Sequence, residues 1–177
     1  MVITFAGAAG TGKSTLVERL LDMPQFSEYT RYSNPQRALH NFLGDKFPHS
    51  SKANTISQAG IYSCFILDLL KNKNIICDRS IIDIFAYSEL SKGVDDFKVL
   101  EDIFSKGIEL HDVIFYVPIE FQVENDGFRD TNTEYIKKTD ETIQKYMDKY
   151  KDKVKIVEVR GSVDDRLNII LETLKEL

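Results

Sequence analysis

The chain of 177 residues is as long as one ordinary globular domain and can bury one hydrophobic core. Apolar residues make up 42% of it and charged residues 29%, which excludes a disordered or collagen-like chain. The net charge of −5 argues against nucleic acid as the main partner, because domains that bind phosphate backbones usually carry a basic surplus.

The sequence also indicates where the protein works. No apolar run is long enough to span a bilayer, so we expect no membrane partner, and we expect no secretory leader. The two cysteines, Cys64 and Cys77, make no disulfide framework, and a reduced, cytoplasmic setting is expected. The sequence is compatible with a homodimer but does not determine the oligomeric state.

Short apolar segments alternate along the chain with segments of helical periodicity. The pattern predicts strands at 2–6, 28–32, 74–77, 113–117 and 154–159. It predicts helices at 13–22, 55–70, 81–91, 95–107, 132–151 and 163–176, and one or two helical turns at 36–43. The helix at 55–70 is apolar on most sides and is expected to be buried. This alternation predicts an α/β fold with a parallel sheet, in which ligands bind beyond the carboxyl ends of the strands.

A phosphate-binding motif follows the first predicted strand. Residues 7–14 read Gly-Ala-Ala-Gly-Thr-Gly-Lys-Ser and match G-x-x-x-x-G-K-[ST], with a strand before and a helix after. Glycines let backbone N–H groups approach a phosphate closely, and the helix adds its positive amino end. The predicted nucleotide-binding residues are Gly7, Ala8, Ala9, Gly10, Thr11, Gly12, Lys13, Ser14 and Thr15.

The two polar residues that end the motif have separate predicted roles. Lys13, expected on a solvent-facing turn, would place its charge on the β- and γ-phosphates, and the Ser14 hydroxyl would ligate Mg²⁺. The motif therefore predicts ATP and Mg²⁺ as cofactors. The guanine-reading N-K-x-D of GTPases is absent, since Asn72-Lys73-Asn74 lacks the aspartate, and the chain leaves no room for the extra helical domain of motor ATPases.

A metal-dependent kinase also needs a carboxylate near the γ-phosphate, to hold the Mg²⁺ shell or to accept a proton. Asp78 directly follows the predicted strand 74–77, at the edge where ligands bind. The alternative is that Asp78 only caps the helix at 81–91. Asp112 precedes its strand and is expected to be a turn residue at the opposite edge.

Four stretches, in order along the chain, resemble the small P-loop nucleoside and nucleotide kinases, above all the NadR-like (ribosylnicotinamide kinase-like) group. They are the phosphate loop, Glu28-Tyr29-Thr30-Arg31, Cys77-Asp78-Arg79-Ser80 with Asp83 and Tyr87, and Asp126-Gly127-Phe128-Arg129-Asp130. Tyr32 stands where that group usually has another acid, and the last stretch has one arginine instead of a cluster. The resemblance implies a single P-loop kinase domain over 1–177. It would be a three-layer sandwich with a five-stranded parallel sheet in the adenylate kinase-like order 2-3-1-4-5, and with a lid at about 119–132.

The resemblance also implies roles for particular side chains. Glu28 would lie at the end of strand two as a general base or hydroxyl ligand, or would be a solvated surface acid. Whether Asp78 or Glu28 is the base stays open. Arg31 is expected to hold a phosphate of the acceptor, and Arg79 to face phosphate in the substrate site or else solvent. The Gln58 amide is expected to read a base edge unless it only makes surface or helix contacts. The loop 161–163 would border the adenine or simply connect strand and helix.

The predicted function is transfer of the γ-phosphate of Mg-ATP to a small nucleoside, nucleotide or related ribosylated acceptor. Two alternatives remain. One is a kinase of hydroxymethylated bases in DNA, which the acidic charge disfavours. The other is a nucleotide-dependent regulatory ATPase, which would need no acceptor pocket.

The polar segment at 119–132 generates one prediction from sequence alone. Its length and lack of apolar periodicity are typical of a mobile loop, and it follows the fourth strand at the same edge as the phosphate loop. Its one arginine, Arg129, is expected to stabilise the charge that spreads over the transferring phosphoryl group.

We expect both Arg129→Ala and Arg129→Lys to lower kcat by ~10³-fold or more, because a point charge cannot reproduce a planar guanidinium. Steady-state kinetics on both variants test this. If either variant keeps the wild-type kcat, Arg129 is a surface residue and the assignment of the lid is wrong.

Overall fold

Five strands form one parallel sheet in the order β2-β3-β1-β4-β5. This computed structural model describes residues 1–32, 35–44, 47–48, 52–120 and 133–177. The strands are β1 (Val2–Ala6), β2 (Thr30–Tyr32), β3 (Ile75–Cys77), β4 (Val113–Tyr116) and β5 (Lys155–Glu158). The predicted fold class and strand order are confirmed.

Helices cover both faces of the sheet. They are α1 (Lys13–Leu21), α2 (Pro35–Leu43), α3 (Thr55–Lys71), α4 (Ile81–Leu90), α5 (Phe97–Phe104), α6 (Thr133–Tyr150) and α7 (Val163–Lys175), with 3-10 helices at Pro24–Phe26 and Ser105–Leu110. None of the described helices combines the length and the apolar character needed to cross a membrane.

Two apolar cores result, one on each face. On one face α1 and α7 pack against β1 and β4, with Phe5 and Phe115 in ring contact at 5.5 Å. On the other face α3, α4, α5 and α6 enclose an aromatic cluster around Phe85. The expectation that α3 is a buried helix is only partly met, because one side of the helix faces the core while Ile56, Leu67 and Leu70 are exposed.

The strands are in register, so their carboxyl ends meet at one edge. Thr4 of β1 pairs with Cys77 of β3, and Ala6 pairs with Tyr116 of β4. The loops that follow β1, β3, β4 and β5 therefore share this carboxyl edge, where the sequence predicts the ligand site.

Strand β2 starts two residues later than predicted. The N–H groups of Ser27 and Tyr29 donate to the carbonyls of Pro24 and Phe26, within and just after a 3-10 turn. Because these backbone groups are already bonded locally, Glu28 precedes the strand instead of lying in it.

His111 is a buried histidine at the amino end of β4. Its Nδ1 lies 3.0 Å from the Gly107 carbonyl, and its Nε2 accepts a hydrogen bond from the Ile81 N–H at 3.5 Å. Only the neutral ring with the proton on Nδ1 satisfies both neighbours. Burial lowers the pKa of His111 from 6.5 to about 4, although Asp112 beside it acts in the opposite direction.

This histidine makes stability depend on pH. Between pH 6.5 and about 4 the unfolded chain binds a proton at His111 that the folded chain excludes. The free energy of unfolding should therefore decrease as the pH is lowered from 6.5 to about 4. The loss is about 1.4 kcal/mol per pH unit and about 3 kcal/mol in total. Urea denaturation from pH 8 to 4 should show a steeper loss for the wild type than for His111→Gln. Equal slopes would contradict it.

Candidate functional site

The phosphate loop, residues 7–12, joins β1 to α1 at the carboxyl edge. Gly7, Gly10 and Gly12 have φ angles of 152°, 80° and 94°, which residues with a side chain rarely adopt. A Cβ on Gly7 would also lie 2.4 Å from the Val117 carbonyl oxygen. Glycine is therefore required at position 7 by both conformation and space.

Lys13 folds back onto the loop. Its Nζ donates to the carbonyls of Gly7 and Ala8 at 2.7 and 2.6 Å and lies 3.3 Å from the Thr11 hydroxyl. The residue is only 6% exposed, so the expectation that it stands on a solvent-facing turn is wrong. Lys13 holds the shape of the loop as well as bringing a charge to it.

Ser14 and Asp78, the two predicted metal ligands, meet across the loop. The Ser14 hydroxyl in the first turn of α1 donates to Asp78 Oδ2 at 3.1 Å. Asp78 directly follows β3, as predicted. Its other oxygen, Oδ1, is buried and has no hydrogen-bond partner among the described residues. A buried carboxylate oxygen without a donor or a cation is costly, so Oδ1 is a position for a ligand.

Asp83 holds the other side of the same loop. Its carboxylate is fully buried and accepts hydrogen bonds from the Gly7 N–H at 3.1 Å and from the N–H and hydroxyl of Ser80. Arg79 Nη1 lies 3.5 Å from Asp83 Oδ1, and its guanidinium lies 5.1 Å from the centre of the Tyr87 ring. Asp83 thus joins the phosphate loop to the turn that presents Asp78 and Arg79.

A third contact reaches the loop from α7. Arg166 is 2% exposed and donates from Nη1 to the Thr11 carbonyl at 2.9 Å and from Nη2 to Glu120 at 2.6 Å. Glu120 also accepts from the Gly161 N–H at 3.0 Å. The hydrogen bond from Arg166 lowers the pKa of Glu120 below its ordinary value. These bonds join the loops that follow β1, β4 and β5.

With this geometry in view, the sequence can be placed among known proteins. The profile of a family described as AAA domain matches residues 2–166. The chain belongs to this AAA domain family. No curated protein matches the sequence.

Solved structures show the same fold for this AAA domain. Deoxyadenosine kinase from M. mycoides, with dCMP and dCDP, is 16% identical with a TM-score of 0.71, and both chains are covered fully. Thymidylate kinase from Ehrlichia chaffeensis is 16% identical with a TM-score of 0.66, over 99% of this chain and 98% of that one. NadR in complex with NAD and AMP-PNP is 19% identical with a TM-score of 0.70, over 99% of this chain but only 48% of the NadR chain. The predicted resemblance to P-loop kinases is confirmed in the fold.

Two predicted site residues of the AAA domain, Glu28 and Arg31, do not lie beside the phosphate loop. Glu28 is exposed and precedes β2, and Thr30 at the start of that strand pairs with Ile75 at the start of β3. Glu28 is therefore at the amino edge of the sheet, opposite the phosphate loop. Arg31 lies in the middle of β2 and forms an ion pair with Glu18 of α1 at 3.2 Å. The expectation that Glu28 lies at the end of strand two is wrong, and the role of Arg31 at an acceptor phosphate stays a prediction.

Of the remaining predicted site residues, Thr15 and Gln58 lie on helices of the structure, and Arg129 lies outside the described residues. Thr15 is exposed in the first turn of α1. Gln58 is 4% exposed in the first turn of α3. Residues 121–132 of the predicted lid at about 119–132, with Asp126 and Arg129, lie outside the described residues. The role of Arg129 stays a prediction.

The sequence carried signals for the residues that the predicted site omitted. Ser80 and Asp83 have the S-x-x-[DE] spacing of a capping box, and this box is present at the start of α4. Arg166 occupies the first turn of α7, where the positive helix end disfavours a cation. An arginine in that position indicates acceptors from outside the helix.

The capping box at the start of α7 provides a matched control for Asp83. Ser162 and Asp165 repeat the arrangement at the start of α7, but Asp165 is exposed. We expect Asp83→Asn to lower the free energy of unfolding by about 1–3 kcal/mol, because an amide has one acceptor oxygen for three buried donors. Asp165→Asn should change it by less than about 0.5 kcal/mol. Urea denaturation of both variants measures the difference, and equal effects would show that the Gly7 contact adds nothing.

Proposed function

We propose that the protein is an ATP-dependent kinase that transfers the γ-phosphate of Mg-ATP to a hydroxyl of a nucleoside, nucleotide or related ribosylated small molecule. The observation that carries this proposal is the contact of Ser14 with Asp78, at the open edge of a phosphate loop, with one Asp78 oxygen buried and unpartnered. The alternative that Asp78 only caps α4 is wrong, because Ser80 holds the N-cap position of that helix.

The donor set fits Mg²⁺. This ion prefers oxygen ligands and is usually held in kinases by one or two protein oxygens, substrate phosphates and water. The Ser14 hydroxyl and the Asp78 carboxylate supply such oxygens, and no larger cluster of His, Cys, Asp or Glu that could hold a metal lies in the described ranges. When bound, Mg²⁺ would neutralise charge on the transferring phosphates.

The residues of the chain then have separate tasks. The N–H groups of the phosphate loop bind the β- and γ-phosphates, and Lys13 exchanges its contacts with the loop carbonyls for phosphate oxygens. Asp78 accepts the proton of the acceptor hydroxyl while the hydroxyl oxygen forms a bond to the γ-phosphorus. The bond between that phosphorus and the bridging oxygen of ADP breaks, and ADP leaves. We assign the base to Asp78, since Glu28 lies at the opposite edge.

The acceptor class is supported by two lines. Arg79 projects from the turn beside Asp78, has a partly exposed side chain and places its guanidinium near the Tyr87 ring, which suits an anionic or planar acceptor. Among similar structures, deoxyadenosine kinase from M. mycoides is bound to dCMP and dCDP or to dATP, and NadR is bound to NAD and AMP-PNP. Gln58, buried at the start of α3, is the candidate to read the base.

A regulatory ATPase is the second candidate, because the family that the sequence matches is described only as AAA domain. One experiment separates the two. The protein is incubated with γ-labelled ATP and Mg²⁺, alone and with nucleosides, nucleoside monophosphates, nicotinamide riboside or hydroxymethylated DNA. Label on a small acceptor supports the kinase, label on DNA supports a base kinase, and phosphate release independent of every acceptor supports the ATPase.

Asp78→Asn tests the assigned base. The amide keeps the shape and can accept the Ser14 hydrogen bond, but it has no charge to bind a proton or a metal. We expect kcat to fall by ~10²-fold or more while the Kd for ATP changes by less than about threefold. Single-turnover kinetics and calorimetry measure the two quantities.

Asp112→Asn is the matched control. Asp112 is an exposed carboxylate at the amino edge, where it accepts a hydrogen bond from the Val2 N–H at 2.6 Å. This variant should keep wild-type kcat. If Asp78→Asn also does, Asp78 is neither the base nor a metal ligand.

A further inference from the structure

Arg166 meets three loops at the carboxyl edge of the sheet. It bonds to Thr11 in the phosphate loop and to Glu120 after β4, and Glu120 in turn bonds to Gly161 after β5. The guanidinium is almost fully buried, although it belongs to the first turn of a helix. Burying this charge costs free energy, which an apolar side chain at the same position would not cost. The buried arginine therefore calls for a functional reason.

The bond to Thr11 sets the direction of one peptide group. In a trans peptide the carbonyl and the following N–H point in opposite directions, and no described peptide bond is cis. Because the Thr11 carbonyl points toward Arg166, the Gly12 N–H points away from it. A Cβ on Gly12 would lie 3.3 Å from Arg166 Nη1, so the guanidinium lies directly against this peptide.

We infer that Arg166 is a positioning residue of the phosphate site, which turns the Gly12 N–H toward the phosphates and is itself held in place by Glu120. The inference rests on the proposed function, since it needs a triphosphate in the loop. Arg166 acts through the backbone and touches no substrate. Its loss would leave the Thr11–Gly12 peptide free to rotate, and a rotated peptide would present a carbonyl oxygen to an anion.

The fork shape of arginine is part of the inference. Two separate nitrogens reach two acceptors that belong to different loops. A lysine in the same place carries its donors on one nitrogen and cannot reproduce a planar fork directed at two loops. Glu120 supplies the countercharge, and Glu120→Gln would keep an acceptor oxygen while removing that charge.

The test measures binding of AMP-PNP by calorimetry, at a temperature where unfolding curves show each variant to be folded. We expect the Kd to rise about tenfold or more in Arg166→Met, and by smaller factors in Arg166→Lys and Glu120→Gln. Arg19→Met is the matched control, because Arg19 is an arginine that contacts α7 without reaching the phosphate loop, through an exposed ion pair with Asp164 at 3.6 Å. It should keep the wild-type Kd.

The outcomes separate this inference from the proposed function. If the wild type fails to bind AMP-PNP, the proposed function fails. If the wild type binds and folded Arg166→Met binds equally well, Arg166 is only structural and the inference is overturned. If Arg166→Met does not fold, Arg166→Lys decides, and a wild-type Kd in that variant overturns the inference. An unchanged Kd in Glu120→Gln would overturn the part assigned to Glu120.

Discussion

A phosphate loop made of small residues cannot hold its own shape, and the rest of this site depends on how that shape is imposed. Gly7–Gly12 has few side chains with which to pack, and three of its residues adopt backbone angles that glycine alone tolerates well. Its supports therefore come from other parts of the chain. Asp83 holds the Gly7 N–H, Arg166 holds the Thr11 carbonyl, and Lys13 bridges the loop from within.

The parallel sheet makes these supports available. Because β1 lies between β3 and β4 and is in register with both, the turn after β3 and the loop after β4 end beside the phosphate loop. The turn after β3 brings Asp78, and α4 begins there with Asp83 in its first turn. One short segment thus presents a carboxylate toward the open edge and another toward the backbone of the loop.

The α/β class and the phosphate loop could be predicted from local patterns, namely apolar runs, helical periodicity and the spacing of glycines. The strand order came from the resemblance to P-loop kinases. Asp78 was predicted from a local pattern as well, since a residue directly after a buried strand lies at the carboxyl edge of a parallel sheet. Glu28 was misplaced because a 3-10 turn takes up the backbone groups before β2. Arg166 could not be assigned, since Thr11 lies 155 positions away in the chain and only the folded sheet brings them together.

The charges around the phosphate loop have a kinetic consequence. In the described part of the chain, three cations (Lys13, Arg79 and Arg166) stand against three carboxylates (Asp78, Asp83 and Glu120), so these groups cancel at a distance. What an approaching nucleotide meets from afar is the overall charge of −5. The nucleotide is attracted only at short distance, where single hydrogen-bond donors of the loop act on its phosphates. Long-range repulsion therefore slows the association of an anionic nucleotide. Added salt screens this repulsion and should raise the association rate constant.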